Sequence, residues 1–448
     1  MSQNLIIAKF GGSSVADYIA MNNSADVVLS NPAIRLVVLS ASSGVTNQLL
    51  ILATGQNKKK RLNVLTEIVR IQYSILEKMP HHAFIYGKIN DIIEKIKILS
   101  SIAERVTSSE LTDELVSCGE LMSSLLFVEV LRQRRMDAEW FDVRRVMRTN
   151  ACFGCAEPDI GILGKLVKQQ LKPLLEEALI VTQGFIGQDK KGRTTTLGRG
   201  GSDYTAAILG EALQVKRIDI WTDVPGIYTT DPHLVPSARR IDEITFSEAT
   251  AMAMFGAKIL HPGTLLPAVR SDISIFIGSS KNPKAGGTIV SHKTHHLPTF
   301  RALTLRRKQI LLQCHGLKRL SRNFLETILK IFIDYQISIA FMTISNVSLL
   351  LMVDMSYAST TITSLLRKSL SSELLSSCRL EVEDNLALVS IIGNSAFQTP
   401  RINQEVLRLL DFVNIRILDD GNLSVLCLLV QDYDSEQIIK ILHRKIFE

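Results

Sequence analysis

The sequence predicts an α/β protein, with a mostly parallel sheet covered by helices and followed by two ferredoxin-like βαββαβ units. Short strands rich in Val and Ile alternate with helical patterns along residues 1–292, and parallel strands need such crossover helices. The polar stretch 291–298 ends in proline and indicates a linker. Beyond it, strands and helices follow at closer spacing in the order βαββαβ. A chain of 448 residues accommodates two to four domains.

The elements of the first domain are short apolar strands that end in small or polar residues, separated by amphipathic segments. The predicted strands are 4–9, 35–40, 179–186, 217–222 and 273–278, and the predicted helices include one from Val15 and those at 111–135, 159–177, 202–212 and 247–258. In such sheets ligands bind beyond the carboxyl ends of the strands. The polar residues that follow these strands are therefore the candidates for a functional site.

The elements after the linker form one complete ferredoxin-like unit and one that lacks its last strand. The first unit has strands 310–314, 337–342, 347–354 and 378–383 with helices 322–335 and 360–376, and the second has strands 386–392, 413–418 and 424–430 with helices 401–411 and 434–446. Segment 300–306 could supply the missing strand, so that the two units interleave. The predicted domains are 1–292, a linker and shared strand at 293–309, then 310–385 and 386–448.

Composition and charge exclude several functional classes. The net charge of +7 arises from 51 basic and 44 acidic residues, and the basic clusters are separate and lack interleaved aromatic residues, so we expect no nucleic-acid partner. No apolar run is long enough to span a bilayer, so we expect no membrane partner. The chain enters its first strand without a basic leader, and its six cysteines are scattered, which predicts a cytoplasmic protein.

Two groups of potential metal ligands do not form a predicted site. Cys152 and Cys155 form a CxxC pair, but there is no second pair and no nearby histidine to complete a zinc site. A redox role would require this pair at a helix start after a strand, so we expect none. A polar hinge is favoured over a metal site for His292, His295 and His296.

The segment Lys9–Ser14 (KFGGSS) predicts a phosphate cradle at the end of the first strand. Adjacent Gly11 and Gly12 allow a tight turn that brings amide groups close to an anion, and a following helix start would add its positive dipole end. Lys9 could reach the same anion. The alternative is a tight turn beside a solvated lysine.

Four further segments follow strands or open helices. They are Ser40–Asn47 (SASSGVTN), Thr112–Glu120 (TDELVSCGE) with Thr112 as the expected helix cap, Thr194–Asp203 (TTTLGRGGSD) and Trp221–Tyr228 (WTDVPGIY). An arginine set among glycines, such as Arg199, suits bidentate binding of a carboxylate. The alternative is an ordinary glycine-rich loop. The segment Trp221–Tyr228 could frame a nucleotide, and Lys258 ends a predicted helix.

Together these motifs resemble those of the aspartokinases, within the amino acid kinase family. The resemblance rests on KFGGSS at 9–14, TLGRGGSD at 196–203, WTDVPGIY at 221–228 and FGAK at 255–258, and it extends over the whole chain. It points to the monofunctional, lysine-sensitive bacterial type. It implies an amino acid kinase (carbamate kinase-like) α/β/α sandwich for the first domain, and paired ACT domains, which sense amino acids, for the rest.

The resemblance also implies an activity and residue roles. The activity is transfer of the γ-phosphate of ATP, carried with Mg²⁺, to the β-carboxylate of L-aspartate, the first step towards lysine, threonine and methionine. By matching positions, Lys9 and Asp203 are catalytic; Lys9, Gly11, Gly12, Thr222, Asp223, Tyr228, His233 and Lys258 bind the nucleotide; and Thr46, Glu120, Arg199 and Ser202 bind aspartate. No metal ligands are assigned. The alternatives are surface charges for Glu120 and Asp203, core packing for Tyr228 and a helix-dipole partner for Lys258.

The sequence departs from the family pattern in two places. His233 stands where an arginine is usual, which predicts weaker binding of the ATP phosphates. The implied effector site involves Ser321, Phe324, Leu325, Ser338, Ile339, Ser345 and Asn346. Ala340 and Asn346 replace expected acids there. We therefore expect lysine inhibition to be weak or absent, or the effector to be a different one, since a buried ammonium without a carboxylate is costly.

Two other functions are compatible with the sequence. One is a kinase of the same fold that acts on glutamate or acetylglutamate, and the other is a non-catalytic amino-acid sensor. The family commonly assembles through its ACT domains, which implies a homodimer or homotetramer.

Overall fold

The computed structural model describes residues 5–80, 83–257, 260, 262–296, 298–316, 322–334, 339–354, 378–394, 406, 408–410, 413, 415–418 and 424–448. The chain divides into two compact units. The first comprises Met1–Ile227, Arg240–Thr250 and Lys258–His295, and the second comprises Tyr228–Arg239, Ala251–Ala257 and His296–Glu448.

The part of the chain up to the linker alternates strands and helices. Its strands are β1 Ile6–Phe10, β2 Ile34–Leu39, β3 Ala138–Phe141, β4 Leu179–Gln183, β5 Ile186–Gln188, β6 Thr194–Thr196, β7 Arg217–Thr222, β8 Ile227–Tyr228, β9 Arg240–Ile241, β10 Glu243–Thr245, β11 Ser274–Ser279 and β12 Gly287–Ser291. Its α-helices are α1 Tyr18–Ser30, α2 Val45–Ala53, α3 Lys58–Leu76, α4 Ala83–Ala103, α5 Ser109–Gln133, α6 Ile160–Leu166, α7 Lys172–Glu177, α8 Gly201–Leu213, α9 Phe246–Met254 and α10 Pro262–Arg270.

The central sheet of the first unit has eight strands in the order β10-β12-β11-β7-β1-β2-β4-β3. Every neighbouring pair is parallel except β11 and β12. The predicted mostly parallel sheet is therefore confirmed. Since β1 lies between β2 and β7, its carboxyl end opens at the middle of one sheet edge, where ligands of parallel sheets bind.

Apolar residues from the sheet and the helices pack into a shared core. Phe10, at the end of β1, lies 5.9 Å from the Phe127 ring and 6.4 Å from the Trp221 ring, centroid to centroid. Most of α5 between Leu115 and Leu131 is buried. This packing fixes α5 against the strands, so that polar residues on its first half are held in place.

Three predicted elements of this region differ in the structure. The predicted strand 179–186 divides into β4 and β5, because Gly184 approaches Ser202 closely and Phe185 has a φ of 71°. The predicted helix 159–177 consists of α6, a π-helical turn at Val167–Leu171, and α7.

The third difference concerns the segment that follows Gly11 and Gly12 in the chain. The segment Gly12–Val15 forms one 3-10 turn, and α1 begins only at Tyr18, with the Asp17 carboxylate as its N-cap. The predicted α-helix starting at Val15 is therefore wrong.

The second unit contains a six-stranded antiparallel sheet. Its strands are β13 Phe300–Gly316, β14 Ile339–Ile344, β15 Ser348–Asp354, β16 Cys378–Gly393, β17 Arg416–Leu418 and β18 Val425–Gln431, in the order β14-β15-β13-β16-β18-β17, and its helices include α11 Arg322–Asp334 and α12 Ser435–Phe447. The predicted helix 360–376 and most of the predicted helix 401–411 lie outside the described residues.

The strands β13 and β16 each extend across both ferredoxin-like repeats. The first half of β13 pairs with the second half of β16, and the second half of β13 pairs with the first half of β16. The separate strands expected at 300–306 and 310–314, and at 378–383 and 386–392, are therefore continuous. Pairing shifts register near Lys308 and Asn385, which both have a φ of 57°. Such bulges let one strand bend and continue.

Within the described residues, no helix has the length and apolar character needed to cross a membrane.

Candidate active site

A cavity of about 460 Å³ in the first unit collects six of the residues predicted to bind aspartate or to be catalytic. It is lined, among others, by Lys9, Thr46, Glu120, Arg199, Ser202 and Asp203. These residues come from β1, α2, α5, the loop before α8 and the first turn of α8. Residues almost two hundred positions apart in the chain therefore line one site.

The cation at the carboxyl end of β1 is paired with an acid on α8. Lys9 Nζ lies 2.5 Å from Asp203 Oδ1, and the two side chains are only 11% and 14% exposed. A mostly buried ammonium group needs such a partner. Asp203 also lies in the first turn of α8, where the helix dipole favours a negative charge. The ion pair therefore fixes the position of both charged groups.

Two glycines in the left-handed region shape the loop that carries Arg199. Gly198 has a φ of 74° and Gly200, the N-cap of α8, has a φ of 72°. A β-carbon on Gly198 would lie 3.2 Å from the carbonyl oxygen of Gly154. Only glycine adopts both conformations without strain. The loop thus turns sharply on either side of an exposed arginine that lines the cavity.

Glu120 is buried within α5 and has one carboxylate oxygen without a partner. The side chain is 3% exposed, and its Oε1 accepts a hydrogen bond of 3.2 Å from the Ala41 amide. No group in the described part of the chain donates to Oε2. Burial raises the pKa of Glu120 to about 8, against the opposing effect of the Ala41 amide. Such a carboxyl group is suited to accept a cationic ligand.

The glycine pair after β1 differs from the expected phosphate cradle. The Gly11 amide donates to the Trp221 carbonyl at 3.0 Å, so it is already used. Gly12 is constrained by space: a β-carbon added there would lie 2.8 Å from the Ala41 carbonyl oxygen. The Gly11 amide is thus engaged within the fold, and the nucleotide-binding role of Gly11 and Gly12 stays a prediction. The glycine pair instead lets β1 and the loop after β2 pack closely.

The predicted cap Thr112 was also wrong, and a structural carboxylate beside it was missed. Helix α5 is capped by Ser108, whose hydroxyl accepts from the Leu111 amide at 3.1 Å. Asp113 is buried and accepts bonds of 2.8 Å and 2.9 Å from the amide and hydroxyl of Thr196, and one of 2.9 Å from the Gly154 amide. Burial raises the pKa of Asp113 although these donors oppose the shift.

The residues expected to bind nucleotide are divided between the two units. Thr222 ends β7 in the first unit, and its hydroxyl donates to Asp223 Oδ1 at 3.1 Å. Tyr228 and His233 belong to the second unit, where the exposed His233 donates its amide to Asp231 Oδ1 at 2.9 Å. Lys258 lies outside the described residues.

The residues expected to bind an effector have different environments within the second unit. Phe324, Leu325 and Ile339 belong to the apolar cluster between α11 and the sheet. Ser345 and Asn346 lie in the exposed turn between β14 and β15, where the Ser345 amide donates to the Ser348 carbonyl at 2.8 Å. Ser321 and Ser338 lie outside the described residues.

Metal binding by side chains alone has no support in the described part of the chain, which holds no cluster of three or more His, Cys, Asp or Glu residues suited to a metal. Of the three carboxylates that line the cavity, Asp113 accepts three hydrogen bonds, Asp203 pairs with Lys9 and Glu120 is buried.

Comparison with known proteins agrees with the fold and the cavity. The model of the amino acid kinase family matches residues 4–279. Lysine-sensitive aspartokinase 3 of Escherichia coli K12 is 54% identical over 446 residues, which cover 99% of each chain. Chloroplastic aspartokinase 3 of Arabidopsis thaliana is 30% identical, over 99% of this chain and 81% of its own.

Solved structures show the same similarity. The structure of E. coli aspartokinase III in complex with aspartate and ADP has a TM-score of 0.90 at 53% identity, covering 99% of this chain and all of that one. The same enzyme in complex with lysine and aspartate has a TM-score of 0.84, with both chains fully covered. This chain therefore belongs to the aspartokinases of the amino acid kinase family, as its motifs predicted.

Proposed function

We propose that this enzyme transfers the γ-phosphoryl group of ATP to the β-carboxylate of L-aspartate, giving ADP and 4-phospho-L-aspartate. The observation that carries the proposal is the cavity that holds the Lys9–Asp203 pair together with Arg199 and Glu120. A similar E. coli enzyme has been solved with aspartate and ADP, which supports the same pair of ligands here. The reaction would be the first step towards lysine, threonine and methionine.

The acceptor end of the cavity carries groups complementary to the backbone of an amino acid. Arg199 would bind the α-carboxylate, since a guanidinium matches a carboxylate with two parallel hydrogen bonds. The unpartnered oxygen of Glu120 would accept from the α-ammonium group. Thr46 and Ser202 would complete this pocket with hydroxyl groups. The β-carboxylate is then left to point towards the phosphate.

At the donor end, catalysis is a matter of charge neutralisation and alignment. The β-carboxylate is already ionised near neutral pH, so the attack on phosphorus needs no general base. Lys9 would stabilise the negative charge of the transferring phosphoryl group, and Asp203 would hold the ammonium in position. Gly11 and Gly12 would let the backbone approach the phosphates. The rest of the nucleotide would be held by Thr222, Asp223, Tyr228, His233 and Lys258.

We assign Mg²⁺ to the ATP phosphates rather than to a protein site. This ion keeps several waters and commonly uses only one or two carboxylates together with phosphate oxygens. The cavity carboxylates are engaged or buried, which is consistent with a metal that arrives with ATP. Bound in this way, Mg²⁺ would neutralise phosphate charge during transfer.

The second unit would act as a cytoplasmic amino-acid sensor made of two ACT domains, 310–385 and 386–448, with 300–306 shared and 293–309 as the linker. Assembly into a homodimer or homotetramer is supported by the edge strand β14, where Met342 and Ile344 are about half exposed. Lysine is the effector named for the E. coli relative. For this chain we propose weak or absent lysine inhibition, or a different effector, because Ala340 and Asn346 carry no charge.

A hydroxylamine trapping assay tests the activity. Acyl phosphates react with hydroxylamine, so a hydroxamate that forms only with ATP and L-aspartate supports the proposal. Glutamate and acetylglutamate in place of aspartate separate the related kinases. The Lys9→Ala variant should give little product, and a wild-type protein that binds amino acids but yields no hydroxamate would instead be a sensor.

A further inference from the structure

Cys152 and Cys155 lie together in an exposed turn beside the cavity. Their sulfur atoms are 3.3 Å apart, and both side chains are exposed and unoxidised. The turn is closed by a hydrogen bond of 3.2 Å from the Cys155 amide to the Cys152 carbonyl. Gly154 reverses the chain between them with a φ of 86°. A disulfide needs its sulfurs at about 2.0 Å, so a movement of about 1 Å would join them.

The loop that carries the two thiols is ordered by its own contacts. The Asn150 side-chain oxygen accepts from the amides of Cys152 at 3.2 Å and Glu157 at 3.1 Å. The Phe153 ring lies under the Arg193 guanidinium, 4.8 Å from centroid to carbon, and Arg193 is itself paired with Asp189. The thiols are therefore held near each other rather than meeting by random motion of the loop.

The same turn is hydrogen-bonded to the residues that shape the cavity. Gly154 lines the cavity and donates its amide to Asp113, which in turn holds the amide and hydroxyl of Thr196. The Ala156 amide donates to the Thr196 carbonyl at 2.8 Å. Thr196 leads directly into the Gly198–Gly200 loop that carries Arg199. A shift of the turn would thus be passed through these bonds to the loop proposed to bind aspartate.

We propose that Cys152 and Cys155 form a reversible disulfide that lowers the affinity of the cavity for aspartate. This proposal rests on the proposed function, because aspartate is taken as the ligand of the cavity. Closing the S–S bond would draw the turn together and weaken the hydrogen bonds that join Gly154 and Thr196 to Asp113, so that the Arg199 loop moves. The pair would act as a redox-sensitive modification site, a common role for cysteine pairs that form disulfides in a reducing cell.

The oxidant would be a low-molecular-weight disulfide, RSSR. The Cys152 thiol loses a proton to solvent and its thiolate attacks RSSR, so that one S–S bond breaks and RSH leaves after taking up a proton. The Cys155 thiolate then attacks the Cys152 sulfur of the mixed disulfide and releases the second RSH. Two electrons pass from the protein to RSSR, and the products are one protein disulfide and two RSH.

The order of attack follows from the environment of Cys155. The hydrogen bond with Cys152 raises the pKa of the Cys155 thiol, and slight desolvation and the nearby carboxylates of Asp113 and Glu157 act in the same direction. Cys155 therefore keeps its proton longer and acts as the resolving thiol. The pair does not lie at a helix start, and an ordered loop brings the two sulfurs together instead.

The test compares the full-length enzyme after equilibration in glutathione buffers of increasing oxidised fraction. We expect an intramolecular disulfide, seen as a mass loss of about 2 Da in the peptide that contains both cysteines. We expect the aspartate KM of the oxidised enzyme to rise about three- to tenfold, the effect of weakening one or two hydrogen bonds. Dithiothreitol should reverse both changes.

Matched variants separate this proposal from the proposed function. Cys152→Ser and Cys155→Ser should keep the reduced wild-type KM in every buffer, whereas Cys314→Ser, a buried cysteine of the second unit, should still show the switch. If the mass shift appears and the aspartate KM does not change, the inference is wrong. The same holds if no disulfide forms in the most oxidising buffer. A reduced wild-type enzyme without aspartate kinase activity would instead contradict the proposed function.

Discussion

At the scale of single residues, the buried carboxyl group of Glu120 is the most sensitive element of the site. Its pKa is raised from 4.5 to about 8 by burial, so the folded protein holds this proton where an unfolded chain has released it. Because the folded state binds more protons than the unfolded state in this range, the free energy of unfolding falls as the pH rises from about 4.5 towards about 8. The folded protein is stabilised again if the ammonium group of a ligand pairs with the ionised Glu120 carboxylate.

The first prediction concerns the pH dependence of aspartate binding. Binding of the α-ammonium group should release the Glu120 proton, so the aspartate KM should fall as pH is raised from about 6 to about 8, by up to about tenfold per unit. Steady-state kinetics at saturating ATP measure this. Glu120→Gln keeps an acceptor for the Ala41 amide and should show a higher KM with little pH dependence. An identical pH profile for the variant would rule out this role.

The second prediction concerns His233. An imidazole carries only a fraction of a positive charge near neutral pH, whereas a guanidinium is always charged. His233→Arg should therefore lower the ATP KM by about two- to tenfold, a typical effect of one added charge contact. His315→Arg is a suitable control, since His315 is also exposed and lies in the same unit. An unchanged or higher ATP KM in His233→Arg would count against the prediction.

At the scale of secondary-structure elements, the turn into α8 determines where Arg199 lies. Gly200 is the N-cap of this helix and has a φ of 72°. Alanine at Gly200 would be strained by about 1–2 kcal/mol. We predict a higher aspartate KM and a lower melting temperature for Gly200→Ala.

The control for this substitution lies in α6. Gly164 is inside that helix, its φ is not positive, and a β-carbon added there would meet no atom within 4 Å. Gly164→Ala should therefore leave the aspartate KM unchanged and raise stability slightly. Equal effects of the two substitutions would show that the backbone of the Arg199 loop is not critical.

A further prediction at this scale concerns β14, which contains Ala340, and the turn after it, which contains Asn346. Because Ala340 and Asn346 carry no charge, half-inhibition by lysine should need more than about 1 mM, which corresponds to about 4 kcal/mol of binding. Lysine titration of the trapping assay measures it, and Ala340→Asp with Asn346→Asp should increase the sensitivity. Half-inhibition of the wild-type enzyme well below that concentration would contradict the prediction.

The sequence was sufficient to predict the helices and strands that follow simple periodic patterns, and to single out the polar residues at strand ends. Lys9, Glu120 and Arg199 could be grouped because their motifs match those of the aspartokinases, and Lys9 alone of the three lies at the end of a parallel strand. Asp113 was missed, since its bonds to Thr196 join positions 83 residues apart and no local pattern records them. The long strand β13 was predicted as two separate strands for the same reason, because its pairing with β16 depends on partners remote in the chain.

At the scale of the whole molecule, the central claim is that Lys9 and Arg199 serve opposite ends of one two-substrate cavity. The most direct measurement combines calorimetric binding of aspartate with phosphoryl transfer in Lys9→Ala. We predict that aspartate binds this variant within about threefold of the wild-type affinity, while kcat falls on the order of 100-fold or more. Near-normal kcat, or loss of aspartate binding together with activity, would contradict the account.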